Sequence, residues 1–209
     1  MKHEQAVADN FNRFLGRQAS SFGKKIHTIA LDGQDRDAGD YLLTDEDRFA
    51  LIEFKSTEQD IKHESRKGRR LQLCELLEFN AKMKALHDQC HFIVWMQSSG
   101  VQLNVYRYEV CNQEVFGGGC GLACKTASVG SRVHANQFAA DLFGAPASRT
   151  LSLSEFEDYL AWLMVQASGG TRGTLELLIE DGSANELRLV QFESVRAAHD
   201  WFLTKRLGS

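Results

Sequence analysis

Val7, Phe11 and Phe14 recur at intervals of four and three near the start of the chain, so residues 3–15 are predicted to form a helix with one apolar face. Ser20, Ser21, Phe22 and Gly23 punctuate its end. The period then changes to two. Ile26, Thr28 and Ala30 fall on one side of a strand over residues 25–31, and the Asp- and Gly-rich stretch 32–39 reads as a loop. DYLLT (40–44) and FALIEFK (49–55) read as two strands of a hairpin, joined by an acidic turn at 45–47. Leu73, Leu76, Phe79, Met83, Leu86 and Cys90 form a stripe at spacings of three and four, which predicts one long helix within residues 60–89. The apolar run 91–97, a short turn at 98–100 and the alternating stretch 101–110 predict a second hairpin.

The pattern loosens after Cys111. Residues 112–135 contain Gly117-Gly118-Gly119 and read mostly as loop, followed by a short helix at 136–143. Ser154 and Glu157 have capping-box spacing ahead of a helix that places Phe156, Tyr159, Leu160, Leu163 and Met164 on one face. Residues 174–179 and 186–192 suggest a hairpin around Asp181-Gly182-Ser183, and Ser194 caps a last helix carrying Val195, Ala198, Trp201 and Phe202. The expected organisation is an α/β core over residues 1–111, in the order helix, three strands, helix, two strands. Residues 112–209 are then a C-terminal extension or small second α/β module, and a contact surface for a second copy or a partner protein.

Composition narrows the function. The 209 residues carry a net charge of −4, so any nucleic-acid contact must come from a local basic patch rather than the overall field. Hydrophobic residues make up 43% of the chain, enough to bury a core without disulfides, and no apolar run reaches membrane-spanning length. Five cysteines, an odd number, and the polar start MKHEQAVADNF point to reduced thiols in a cytoplasmic protein. Cys111, Cys120, Cys124 and His134 lack the C-x-x-C spacing of a zinc site, so free thiols are the expectation there. No cysteine has a histidine in a nucleophile-like motif, and Cys90-His91 would point apart on a strand. The glycine run 117–121 lacks the lysine and hydroxyl of a phosphate-binding loop.

The chemistry concentrates at Glu53-Phe54-Lys55. Residues i and i+2 of a strand share a face, so Glu53 and Lys55 point together and Phe54 points the opposite way. Asp40 begins the preceding strand, and a hairpin would bring its carboxylate towards Glu53. Two carboxylates held close together favour a bound cation, and hard oxygen donors suit Mg2+ or Mn2+. A lysine beside them can orient a water. A bare E-x-K also occurs as a surface ion pair on a strand; the combination with Asp40 and flanking helices is the more specific signal.

Gly39-Asp40 and Glu53-Phe54-Lys55 resemble the two acidic motifs of the PD-(D/E)XK nuclease superfamily, with Gly39 where that family usually has proline. The resemblance covers about residues 1–110 and includes the order of elements. It implies a restriction-endonuclease-like core and a Mg2+- or Mn2+-dependent nuclease hydrolysing phosphodiester bonds, by the family's habit in DNA, in a setting of restriction, phage defence, recombination or repair. It implies Asp40, Glu53 and the Phe54 carbonyl as metal ligands and Lys55 as the residue that positions water. Glu4 is the candidate for the accessory acid that some members place on the first helix, with Asp9 next but better read as a solvated position. Gln72 is the candidate for the polar residue that many members carry on the helix after the lysine. Lys62, Arg66, Lys67, Arg69 and Arg70 form a basic segment suited to phosphate contact. The alternative is a nucleic-acid-binding or protein-assembly subunit that keeps this fold without catalysis.

Overall fold

The computed structural model describes residues 2–31, 40–45, 47–168, 175–181, 186–192 and 194–207. The loop expected at 32–39, and the turn residues 46, 169–174 and 182–185, lie outside them. The elements are α1 (Lys2–Ser21), β1 (His27–Ala30), β2 (Tyr41–Thr44), β3 (Arg48–Thr57), α2 (Arg70–Phe79), α3 (Ala81–Cys90), β4 (His91–Gln97), β5 (Gly100–Val105), α4 (Tyr106–Val110), α5 (Gln113–Phe116), β6 (Val133–His134), α6 (Ala135–Phe143), β7 (Leu151–Ser152), α7 (Leu153–Ser168), β8 (Leu175–Asp181), β9 (Glu186–Phe192) and α8 (Val195–Leu207).

The fold is α/β, built on a mixed seven-stranded sheet in the order β1-β2-β3-β4-β5-β6, with β7 pairing to β3. Strands β1, β2 and β3 form an antiparallel meander, and Tyr41 faces Ile52 across the second pair. Strand β4 lies parallel to β3, with Glu53 opposite Ile93 and Lys55 opposite Trp95. A parallel pair requires a crossover connection, which the segment from Glu58 to Cys90 supplies. Among the described residues, strands β8 and β9 pair only with each other.

Strand β3 lies at the centre, and its period of two sorts its side chains between both faces. Ala50, Ile52 and Phe54 join Val7, Phe11, Leu15 and Phe138 in a core beneath α1 and α6. Phe49 and Leu51 face the other way, into a core with Leu73, Leu77, Phe156, Tyr159 and Leu163 from α2 and α7. A third cluster, Ile61, Cys74, Ile93, Trp95, Tyr106 and Val110, continues on the second face past Glu53.

Several local expectations are revised. Helix α1 runs on to Ser21 because Leu15 and Ala19 extend the buried stripe, and Gly23 (φ 68°) turns the chain after it. The single helix predicted over 60–89 is instead a 3-10 segment, Glu58–Arg66, followed by α2 and α3. Asn80 makes the break between the helices: its backbone is extended, and its side chain accepts the Met83 N–H to cap α3. The break turns Phe79 into solvent, 88% exposed, whereas Leu73, Cys74 and Leu77 are buried. The stretch 101–110 is strand only to Val105, and α4 then buries Tyr106 and Val110. Helix α7 starts earlier than the Ser154–Glu157 spacing suggests, since Glu155 accepts from the Ser152 N–H (3.1 Å) and hydroxyl (2.6 Å). Ser194 does cap α8, accepting the Ala197 N–H.

The expectation that all five cysteines are free thiols is also corrected. Cys74 and Cys111 form a disulfide between α2 and the end of α4, while Cys90, Cys120 and Cys124 remain free. Burial brings the two side chains together from positions 37 residues apart, which no local spacing reveals. Among the described residues no helix is long and apolar enough to cross a membrane.

Candidate active site on strand β3

The backbone brings Asp40 to Glu53. The Asp40 N–H donates to the Ile52 carbonyl (3.0 Å), continuing the β2–β3 ladder one residue upstream of the strand. Its carboxylate then accepts the Phe54 N–H at 2.7 Å. That bond fixes Asp40 beside the Glu53–Lys55 face of β3. Burial, with the negative charge of Glu53 beside it, pushes the Asp40 carboxyl up to about 6; Lys55, the Phe54 N–H and Lys67 offset part of that rise.

Glu53 and Lys55 are not a surface ion pair. Their residues are 0% and 5% exposed. The Lys55 ammonium donates to Glu53 Oε1 (2.5 Å) and to the Phe54 carbonyl (2.9 Å). Glu64 Oε1 lies 3.0 Å from the same nitrogen, and Glu4 Oε1 lies 3.5 Å away. Lys67 also donates to Glu53 Oε1, and Arg70 Nη2 stands 3.8 Å from Glu53 Oε2. Burial alone would push the Glu53 carboxyl up, but Lys55, Lys67 and Arg70 overcome it and hold the group below the ordinary carboxylate range. Burial would pull the Lys55 ammonium down, and Glu53 and Glu64 outweigh it in the same way. Both groups are therefore charged at neutral pH.

The sequence-predicted residues divide into three groups. Asp40, Glu53, Lys55, the Phe54 carbonyl and Glu4 converge. Lys67 and Arg70, read from the sequence as phosphate contacts, turn inward onto Glu53 and Glu64. Lys62, Arg66 and Arg69 stay exposed beside them, as does Gln72, on the outer side of α2 and away from the carboxylates. Asp9 is exposed and accepts from Gln5.

The inward turn has a physical cause. A 3-10 helix has three residues per turn, so side chains three apart line up. Ile61 and Glu64 follow that interval inside the 3-10 segment and are buried, while Lys67 and Arg70 follow its end at Arg66, on the turn and at the start of α2. The segment is opened by Asp60, whose carboxylate accepts the Thr57 N–H (3.0 Å) and hydroxyl (2.9 Å). Lys67, in an extended conformation, closes it, and Arg69 in the left-handed region (φ 65°) then redirects the chain so that α2 begins with Arg70 beside the carboxylates. That conformation strains a non-glycine residue.

Glu64 and Tyr106 belong to the site although the sequence alone assigned them no role. Tyr106 donates its hydroxyl hydrogen bond to Glu64 Oε2 at 2.6 Å, and the Arg70 guanidinium lies over its ring. The periodic I-x-x-E-x-x-K-x-x-R pattern from Ile61 to Arg70 is the signal that would have found Glu64; Tyr106 has no comparable signal, because the two residues are 42 positions apart.

The donor set offers two carboxylates and a backbone carbonyl, all hard oxygens. Glu53 Oε2 is buried and accepts no hydrogen bond among the described residues. No group of three His, Cys, Asp or Glu side chains is placed to hold a metal ion among them. A Mg2+ site does not require three such side chains, because this ion commonly keeps several waters and takes only one or two carboxylates. The residues present therefore fit a hard divalent ion at Asp40, Glu53 and the Phe54 carbonyl. No protein-family model matches the chain, and no match was found among curated proteins or solved structures.

Proposed function

We propose that this protein is a divalent-metal-dependent nuclease with a restriction-endonuclease-like core of the PD-(D/E)XK kind, acting on DNA. The observation that carries the reading is the convergence of half-buried Asp40 on buried Glu53 and Lys55, with Asp40 tied to the Phe54 N–H at 2.7 Å. The order α1, β1, β2, β3, a helical crossover and β4 supports it, being the order expected for such a core.

In this reading Asp40, Glu53 and the Phe54 carbonyl hold Mg2+ or Mn2+. The ion would lower the pKa of a bound water and neutralise charge on the phosphodiester. Lys55 holds its proton and orients the attacking water through an N–H. Lys67 and Arg70 add positive charge where the phosphate would develop negative charge. The exposed Lys62, Arg66 and Arg69 contact flanking phosphates and carry no sequence information. DNA is chosen over RNA on the family resemblance.

A second reading keeps the fold without the chemistry. Its support is that Lys55 and Lys67 both already contact Glu53 and Glu64, so the cluster also works as a closed ion network in a binding or assembly subunit. A plasmid and oligonucleotide cleavage assay with Mg2+, Mn2+ or chelator separates the two. Cleavage that requires metal, and is lost in Asp40→Ala, Glu53→Ala and Lys55→Ala, is the expected result. Cleavage that is indifferent to chelator, or a Lys55→Ala protein that cuts at the wild-type rate, refutes the nuclease mechanism. A wild type that binds DNA and never cuts it supports the second reading.

A further inference from the structure

We infer that Glu64 is the positioning residue for Lys55 and Lys67, held in place by the Tyr106 hydroxyl. The inference rests on the nuclease reading for its catalytic consequence, though not for its geometry. Glu64 is 0% exposed. Its Oε1 lies 3.0 Å from the ammonium of Lys55 and 3.0 Å from that of Lys67. Its Oε2 accepts the Tyr106 hydroxyl at 2.6 Å and lies 3.4 Å from Arg70 Nε. One carboxylate thus joins three cations and a phenol.

An ammonium has three N–H donors. Two of those of Lys55 go to Glu53 Oε1 and the Phe54 carbonyl, and Glu64 Oε1 pairs with the same nitrogen as an ion pair at 3.0 Å. In the proposed function the first two are assigned as metal ligands, so their lone pairs have a competing use. Glu64 is not so assigned. It is the partner that can keep Lys55 in place while the other N–H groups turn to water or phosphate. The same oxygen holds Lys67 at a matching distance, so a single residue sets the spacing of both cations. Tyr106, placed at the first position of α4, stops the carboxylate from rotating about its last bond.

Glu64→Gln, Glu64→Asp and Tyr106→Phe in the full chain test this. Four measurements are needed on each: folding by circular dichroism, Mn2+ affinity by electron paramagnetic resonance, kcat and KM on an oligonucleotide, and the rate at which an amine-acylating reagent labels Lys55 at fixed pH, located by peptide mass spectrometry. Glu64→Gln is expected to fold and to bind Mn2+ close to the wild-type affinity. Its kcat should fall about 100-fold with little change in KM, the scale of loss from a misplaced catalytic group. Lys55 labelling should accelerate. Glu64→Asp, which keeps the charge with a shorter reach, should recover part of the loss. Tyr106→Phe should give a smaller change in the same direction, and it tests the inference if Glu64→Gln does not fold. Wild-type kcat and wild-type Lys55 labelling in a folded variant overturn the inference. Loss of Mn2+ binding in Glu64→Gln also overturns it, because Glu64 would then be a ligand. If the wild type neither binds Mn2+ nor cuts, the nuclease reading fails by itself, and the labelling rates still decide whether Glu64 positions Lys55.

Discussion

Two buried ion networks share one face of the sheet, two strands apart. One is centred on Glu53 of β3. The other is centred on Glu109 of α4 and is joined to the sheet by Asn104 of β5. Glu53 pairs across to Ile93, and Ile93 to Asn104, so the networks are neighbours about 10 Å apart at the usual strand spacing. Their bonding differs. Glu109 Oε1 accepts from Asn104 (2.7 Å) and Arg132 Nε (2.8 Å), and Oε2 accepts from Arg132 Nη2 (2.8 Å). Arg132 also pairs with Glu58 and lies over the Trp95 ring. That network is a closed fork of the kind arginine forms with carboxylates. Around Glu53, three cations crowd onto Glu53 and Glu64, yet Glu53 Oε2 accepts no hydrogen bond among the described residues. A buried oxygen without a hydrogen bond costs free energy and calls for an explanation, which the Glu109 oxygens do not need. The difference is that the Arg132 fork uses both Glu109 oxygens in hydrogen bonds, whereas Glu53 Oε2 holds only a distant ion pair and is the oxygen the proposed ion would use.

The sharpest test compares the two carboxylates directly. Glu109→Ala removes the bidentate partner of Arg132 and should cost about 3 kcal/mol of stability, as expected for breaking a buried ion pair on one side. Glu53→Gln takes a buried charge away from Lys55, Lys67 and Arg70 and should also cost about 3 kcal/mol, but of the two it alone should abolish cleavage. Urea unfolding and the cleavage assay read both effects. Loss of cleavage in a folded Glu109→Ala protein, or wild-type cleavage in Glu53→Gln, would end the distinction.

Next in size is a third network on this face, which is neutral. The Tyr159 hydroxyl of α7 contacts His87 Nδ1 (2.7 Å) and His91 Nδ1 (2.8 Å). His87 Nε2 accepts the Arg107 N–H, so in its neutral form His87 carries its proton on Nδ1 and donates to Tyr159. Tyr159 then donates to His91. Burial and the Arg70 charge push His91 down to about 3, and burial, His91 and Arg107 lower His87 as well. Both histidines bind protons more readily when unfolded. Their stabilisation is therefore full above the ordinary histidine value of about 6.5 and is lost progressively as the pH falls from there towards 3. Tyr159→Phe should cost about 1–3 kcal/mol at pH 7 and a similar amount at pH 5, because His91 stays neutral in the folded protein until the pH nears 3. A negligible cost at pH 7 would show that the hydroxyl does not join the two rings.

Asp40 carries the opposite sign. Its carboxyl is raised to about 6, so the folded state holds the proton more tightly, and stability without metal declines as the pH rises from about 4 through 6. Asp40→Asn, with an amide oxygen that can still accept the Phe54 N–H, should raise Tm by a few degrees at pH 7.5 in chelator while weakening Mn2+ binding. In the wild type, Mn2+ affinity should fall as the pH drops below about 6. A stabilising effect that persists in saturating metal would separate Asp40 from the proposed ion.

The smallest expected effects belong to the exposed cations. Lys62→Ala, Arg66→Ala and Arg69→Ala should each weaken DNA binding modestly and reduce the salt slope by about 1 for each phosphate no longer neutralised, with Tm nearly unchanged. Lys67→Ala and Arg70→Ala should instead disturb the carboxylates, since both side chains point inward. If all five substitutions behave alike, the basic segment acts as one surface patch.

The parts of this molecule that the sequence determined are those set by short intervals. The apolar stripe of α1, the alternation that sends Phe54 to one face and Glu53 with Lys55 to the other, and the Ser194 cap are all local, because a helix or strand repeats within a few residues. On that basis the sequence placed Asp40, Glu53 and Lys55 in one hairpin. Tertiary structure decided what surrounds them. The extended backbone at Asn80 and the left-handed one at Arg69 bend a segment whose stripe alone predicts one straight helix. The turn at 67–69 between the 3-10 segment and α2 leaves Lys67 and Arg70 against the carboxylates and Gln72 exposed on α2. The Tyr106–Glu64 bond, the Cys74–Cys111 disulfide and the Tyr159–histidine contacts join residues 42, 37 and about 70 positions apart. Such partners are chosen by packing across the sheet, where the energy of burying a charge or a thiol depends on which distant side chain meets it, and no local period records that choice.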